Sequence, residues 1–240
     1  MSHKSTILPC LIKFMPISPL PLSKDDPCFN VYAFDLDHTI IKPKSPNSKF
    51  SRNADDWQFM SFNSKKSTLD YLFDIIEKDP IAIIVVFSNQ GGVVTVPRTS
   101  KSCTKYTNKI SLVLKAIKCD KRGDSLLSRL WLYAAPKRSK ALVTNKNKFT
   151  FPRTSKNDID DPKIYEKVRK PMTGMADFFE RDIHNAYGVS ESPPITTRLN
   201  WIYYCGDAAG RKKDFSDSDK KFAENLNVVF KYPEEVFQGC

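Results

Sequence analysis

Three features of this 240-residue chain predict an α/β fold built on a central parallel sheet. Four short apolar runs, Val31–Phe34, Ile81–Phe87, Leu130–Ala135 and Trp201–Cys205, are rich in β-branched or aromatic residues, as strands buried on both faces are. Stripes of apolar residues at helical spacing lie between them. Three of the runs lead straight into turns that carry acids, a hydroxyl or glycines. Strand alternating with helix implies right-handed crossovers and a helical layer on each face of the sheet.

Leu69, Leu72, Phe73 and Ile76 share one helix face, with a cap expected at Asn63 or Ser64. Tyr106, Ile110, Val113, Leu114 and Ile117 make a second stripe. Met172, Met175, Phe178, Phe179 and Ile183 make a third, opened by Pro171 near its first turn. A short helix is expected after Ser216, and Val228–Phe230 reads as an edge strand. Residues 1–28 are proline-punctuated and read as a loosely ordered leader, leaving 29–240 as the single domain. Lys137 to Lys156 is basic and without periodicity, and reads as an inserted surface loop.

Composition narrows the function classes. Hydrophobic residues make up 40% of the chain, enough for a core, so wholesale disorder is excluded. No apolar run approaches the roughly 20 residues that span a bilayer, and the leader has no secretory pattern, so an intracellular protein away from membranes is expected. The six cysteines show no C-x-x-C pair and the three histidines lack ligand spacing, which argues against zinc. A net charge of +11 suits polyanionic partners, although solubility alone accounts for it equally well.

The chemistry sits at the strand ends, where ligands of open parallel sheets bind. Val31–Phe34 runs into Asp35-Leu36-Asp37-His38-Thr39, Ile81–Phe87 into Ser88-Asn89-Gln90-Gly91-Gly92, and Trp201–Cys205 into Gly206-Asp207. Two aspartates two apart on an extended chain face the same side. Clustered carboxylates repel one another, and a divalent cation relieves that repulsion. Mg²⁺ prefers such oxygen ligands, so Asp35 and Asp207, with a backbone carbonyl such as that of Asp37, are the expected metal ligands. Chance produces D-x-D-x-T in a chain this long on the order of a few per cent of the time, and far less often at a strand end. Ser88, Asn89 and the amides near Gly91 can donate to phosphate oxygens, a weak signal that gains from its position. Lys170, just before Pro171, is placed to put an ammonium on a bound phosphate. Asp214 has two open roles, touching the metal or holding Lys170.

This order of D-x-D-x-T, serine, lysine and Gly-Asp resembles the haloacid dehalogenase superfamily of phosphotransferases. Phe34-Asp35-Leu36-Asp37, Ser88-Asn89-Gln90-Gly91, Arg169-Lys170-Pro171-Met172-Thr173-Gly174-Met175, Tyr204-Cys205-Gly206-Asp207-Ala208-Ala209-Gly210-Arg211 and Lys213-Asp214-Phe215-Ser216 are similar to the polynucleotide kinase 3′-phosphatase family. The pattern most resembles fungal DNA 3′-phosphatases that consist of this domain alone. His38 stands where many relatives have glycine, and no G-x-x-x-x-G-K-[ST] loop occurs, so the likeness carries the phosphatase half and not the kinase half.

The resemblance implies a three-layer haloacid dehalogenase-like sandwich with little or no cap. It implies two-step catalysis in which Asp35 attacks phosphorus and Asp37 serves as acid and then base. Mg²⁺, Ser88 and Lys170 would offset the phosphoryl charge. Thr39, Asn89, Gln90, Gly91 and Arg211 are the expected phosphate-binding residues. The expected substrate is a DNA end bearing a 3′-phosphate, handled by a nuclear monomer in repair. Two alternatives stand beside it: a sugar or histidinol phosphate phosphatase of the same superfamily, and a non-catalytic scaffold for phosphorylated ends. The acid pair speaks against the scaffold, since added negative charge does not help a protein that only binds phosphate.

Overall fold

The structure, a computed structural model, describes residues 1–21, 28–62, 66–139, 163–187 and 198–238. Among these, seven strands form one sheet in the order β1 (His3–Ile7), β2 (Ile12–Pro16), β7 (Leu130–Lys137), β6 (Ala82–Val94), β3 (Cys28–Phe34), β8 (Arg198–Cys205), β9 (Phe230–Lys231). β7, β6, β3, β8 and β9 run parallel, and β1 and β2 are antiparallel additions at one edge. The sheet is therefore mostly parallel, as its apolar runs require.

Alternation along the central strands builds two cores. Ile84 and Val86 of β6 point to a core closed by α1 (Thr68–Lys78), α2 (Lys101–Lys118), α3 (Gly123–Leu127) and, at its far end, α7 (Pro233–Phe237). Ile83, Val85 and Phe87 point to the other face, under α4 (Ile164–Val168), α5 (Gly174–Tyr187) and α6 (Ser218–Leu226). Phe87 and Phe179 are fully buried there. Each such ring contributes roughly 1.5–3 kcal/mol over its exposed state. The result is the three-layer sandwich.

Several elements depart from the sequence reading. The stretch read as a loose leader pairs in register, His3 with Pro16 and Ile12 with Ala134, and buries Leu11, Ile12 and Phe14. Ser88 to Gly92 lie inside β6, not after it. The third helix starts at Gly174, so Pro171 and the exposed Met172 precede it. Asn63 and Ser64 lie outside the described residues, as does most of the basic loop, from Lys140 to Lys156. Helix α1 is capped instead by Ser67, which exchanges hydrogen bonds with Asp70 in a capping box.

Among the described residues, the segment after β3 folds into a small flap. β4 (Ile41–Lys42) pairs with β5 (Gln58–Phe59), and buried Asp56 closes the turn between them by accepting from Ser45 and the Arg52 amide. No helix among the described residues is long and apolar enough to cross a membrane.

The cap gives a direct measure of helix α1. Ser67→Ala should cost about 1 kcal/mol, lowering the melting temperature by about 2–4 °C with catalytic rates unaltered. An unchanged melting temperature in differential scanning calorimetry would mean that the box contributes nothing.

Candidate active site

Register brings the strand ends to one level. Phe34 pairs with Val86 on one side and with Cys205 on the other. Asp35, Phe87 to Ser88, and Gly206 to Asp207 therefore emerge together, with the Asp35 amide donating to the Cys205 carbonyl at 2.8 Å. They floor a cavity of about 950 Å³, at the upper end of the roughly 300–1,000 Å³ typical of ligand pockets.

Lys170 lies at the centre of the floor, 4% exposed. Its ammonium donates to Asp35 Oδ1 at 2.5 Å, Asp219 Oδ1 at 2.7 Å, the Phe87 carbonyl at 2.7 Å and Tyr204 Oη at 2.9 Å. Asn89 holds its backbone from both sides, accepting from the Lys170 amide at 3.0 Å and donating to its carbonyl at 2.9 Å. Burial alone would lower the lysine pKa, but Asp219 and Asp35 outweigh it and hold the ammonium firmly charged.

Carboxylate oxygens of Asp35, Asp207 and Asp219 lie within 4.8 Å of one another. Burial pushes Asp35 well above the usual carboxylate range; Lys170 opposes this, and the charges on Asp219 and Asp207 add to it. Burial and then Asp219 push Asp207 up to about 6, against His38 and Lys170. Three carboxylates around one ammonium leave two negative charges unbalanced. The donors are hard oxygens, so this cluster fits a divalent cation such as Mg²⁺, whose charge is the one missing.

The rim differs from the floor. Phe50 on the flap and Phe215 after β8 are 75% and 86% exposed. Around them stand the exposed cations Lys49, Lys105 and Lys213. His38, at φ +64°, bonds the Lys49 carbonyl at 3.0 Å, and Lys105 donates to the Ser51 carbonyl at 3.1 Å, so two side chains tie the flap to the rim.

Residues 30–237 match the protein family described as Polynucleotide kinase 3 phosphatase. The chain belongs to this family. It is 70% identical over 240 residues to proteins named Polynucleotide 3′-phosphatase from Saccharomyces mikatae and Saccharomyces cerevisiae, covering 100% of this chain and 97% and 100% of theirs. It is 30% identical over 207 residues to the Bifunctional polynucleotide phosphatase/kinase of Schizosaccharomyces pombe, across 86% of this chain and 37% of that protein.

In this member of the polynucleotide kinase 3 phosphatase family, the structure gathers Asp35, Asp37, Ser88, Lys170 and Asp207 around one cavity. It distributes the expected phosphate binders differently. Thr39 is fully buried outside the cavity lining, and its hydroxyl has no hydrogen-bond partner among the described residues. Arg211 is held by Asp214 at 2.9 Å and lies over the Tyr232 ring, also away from the lining. Asn89 spends its amide on the Lys170 backbone. Gln90 donates to Asp37 Oδ2 at 2.7 Å and Ser88 Oγ at 2.8 Å. Gly91 seats the Arg169 guanidinium, 3.2 Å from where a Cβ would stand. Arg169 has no hydrogen bond or ion pair on that guanidinium among the described residues, which leaves its donors open to an anion.

Asp37, enlisted as a ligand through its carbonyl, turns its side chain to Gln90 and to Lys109, and the third acid of the cluster is Asp219. Asp219, in the first turn of α6, also accepts from Tyr204 Oη and the Ala208 amide, and it holds Lys170 together with Asp35. Asp214 binds Arg211 and the Ala209 amide instead. Gly206 makes room for Asp219: a Cβ there would lie 2.5 Å from Asp219 Oδ2, so the glycine admits the carboxylate. Gly206→Ala should therefore displace Asp219 and cost about 1–3 kcal/mol, with secondary structure kept by circular dichroism. Urea midpoints equal to those of the parent would show that the approach is not tight.

Proposed function

We propose that this chain is a polynucleotide 3′-phosphatase that uses Mg²⁺ to convert 3′-phosphate ends of DNA to 3′-hydroxyls, acting as a monomer in the nucleus. The observation that carries the reading is an acid-and-lysine floor of phosphoryl-transfer chemistry beneath an aromatic, basic rim, in a chain 70% identical throughout to yeast proteins named for that activity. Exposed Phe50 and Phe215 suit stacking on bases, and the cations beside them suit a phosphate backbone. A sugar phosphate would use neither. A net charge of +11 is compatible with a nucleic-acid partner.

Asp35 is the nucleophile, oriented by Lys170 on its Oδ1. Asp37 faces the same cavity from two residues on and gives a proton to the leaving 3′-oxygen, later taking one from water. Ser88 Oγ accepts from Gln90, so its own proton is free for a phosphoryl oxygen. Arg169 supplies a two-pronged cation at the wall. Asp35, Asp207 and Asp219 would hold Mg²⁺, which supplies Lewis-acid charge against the phosphate when bound.

A single assay with matched oligonucleotides separates the readings. Phosphate should be released from the 3′-phosphate only, only with Mg²⁺, and Asp35→Asn should lower the rate by roughly 10⁴-fold or more with the fold intact. Equal turnover of a 5′-phosphate or a sugar phosphate would sink the substrate, and a near-normal Asp35→Asn rate would sink the nucleophile.

Protons and metal should compete for Asp207. Its folded pKa of about 6 lies above its ordinary 3.8. Protonating it therefore favours the metal-free fold: that contribution is complete below pH 3.8 and fades as pH rises through about 6. A cation needs the ionised form, so the rise in melting temperature caused by saturating Mg²⁺ should be large at pH 7.5 and shrink as pH falls through 6. A Mg²⁺ effect that persists unchanged at pH 5 would rule out this ligand set.

A further inference from the structure

We propose that Lys109 is a positioning residue for the proton-transfer step, holding the Asp37 carboxyl toward the leaving oxygen; the proposal rests on the phosphatase reading above. Lys109 sits on the apolar face of α2, in line with buried Tyr106, Ile110 and Val113, where a lysine has no packing reason to be. Its side chain is only 8% exposed, and its ammonium reaches Asp37 Oδ1 at 2.9 Å. An ammonium buried that deeply is costly unless paired. Gln90 supplies the other half of the grip, donating to Asp37 Oδ2 at 2.7 Å, and its second hydrogen goes to Ser88. Both oxygens of Asp37 are thus held from the protein side, one by a helix across the cavity and one by the strand that carries Ser88.

In the first chemical step, a bond forms between Asp35 and phosphorus as the bond from phosphorus to the 3′-oxygen breaks. The bonding pair stays on that oxygen, and the Asp37 proton moves to it. Negative charge then appears on Asp37, 2.9 Å from an ammonium already in place. Donors aimed in advance at developing charge need no rearrangement when it forms. Lys109 touches neither nucleophile nor phosphorus in this account. Two other roles remain for a lysine facing the cavity: contact with the phosphate itself, or anchoring α2 alone.

The leaving group separates these roles. An alkoxide needs a proton to leave, whereas p-nitrophenolate does not. First-turnover rates are to be measured for Lys109→Met and Lys109→Arg with a 3′-phosphorylated oligonucleotide and with p-nitrophenyl phosphate. Lys109→Met should slow the oligonucleotide by on the order of 10²-fold, while the first release of nitrophenolate stays near the parent rate, and Lys109→Arg should recover most of the loss. Equal losses on both substrates would overturn the proposal in favour of a phosphate contact or a structural anchor, as would no loss on either. Should Lys109→Met fail to fold, Lys109→Gln, which removes the charge while keeping a polar side chain, must show the same split. If the parent enzyme cleaves nitrophenyl phosphate but no oligonucleotide, the substrate reading fails by itself. The split is then read against glycerol phosphate, whose leaving group is also an alkoxide.

Discussion

One buried ammonium sets the terms for the rest of the site. Lys170 cannot stay charged at 4% exposure without the oxygens of Asp35, Asp219, Tyr204 and Phe87 around it. Those oxygens come from β3, β6, β8 and the first turn of α6, so satisfying the lysine makes four elements converge. The same convergence over-supplies negative charge. Asp35, Asp207 and Asp219 exceed Lys170 by two, and burial raises the cost of that surplus. That surplus is the feature of the floor that a divalent cation would offset. The surplus of acid at the floor is thus a consequence of how the lysine is buried, not a separate feature of the sequence.

Legibility followed periodicity. The central strands and the stripes of α1, α2 and α5 were readable because each buries a continuous face, and the acid pair was readable because it ends a strand. Asp219 was not. Twelve residues beyond Asp207, in the first turn of a helix, it looks like any acid that favours a helix N-terminus. Lys109 was hidden in the same way among Lys101, Lys105, Lys115 and Lys118, a basic helix whose lysines look solvated until one proves buried. The β1–β2 pair escaped because proline punctuation and short mixed strands carry no clear period, and it joins the sheet only where β2 pairs with β7.

The phosphate-binding residues show a second reason for partial legibility. Composition says that Asn89, Gln90 and Arg211 have donors; it does not say where those donors are already engaged. Asn89 fixes the Lys170 backbone, Gln90 fixes Asp37 and Ser88, and Arg211 closes the turn after β8 with Asp214. Arg169 is the converse case, a guanidinium with no hydrogen bond or ion pair among the described residues, seated where Gly91 has no side chain in the way. A residue type suggests a chemical capacity, and only the surroundings decide whether the capacity faces a ligand or the protein.

This division also explains how a floor rich in carboxylates can receive a polyanion. The acids are deep: Asp35 is 7% exposed and Asp219 1%. Lys170 answers Asp35 and Asp219 locally, as Lys109 answers Asp37. The cations that face outward, Lys49, Lys105 and Lys213, stand at the rim, where an approaching phosphate backbone meets them first. An incoming end meets the cations of the rim before its terminal phosphate reaches the acids of the floor. The flap takes part in this ordering, because Lys49 and Phe50 belong to it and His38 and Lys105 hold it down. His38 adopts a left-handed backbone that glycine would enter without strain. The cost is offset by what the ring does there, which is to tie the rim to the loop that carries both Asp35 and Asp37.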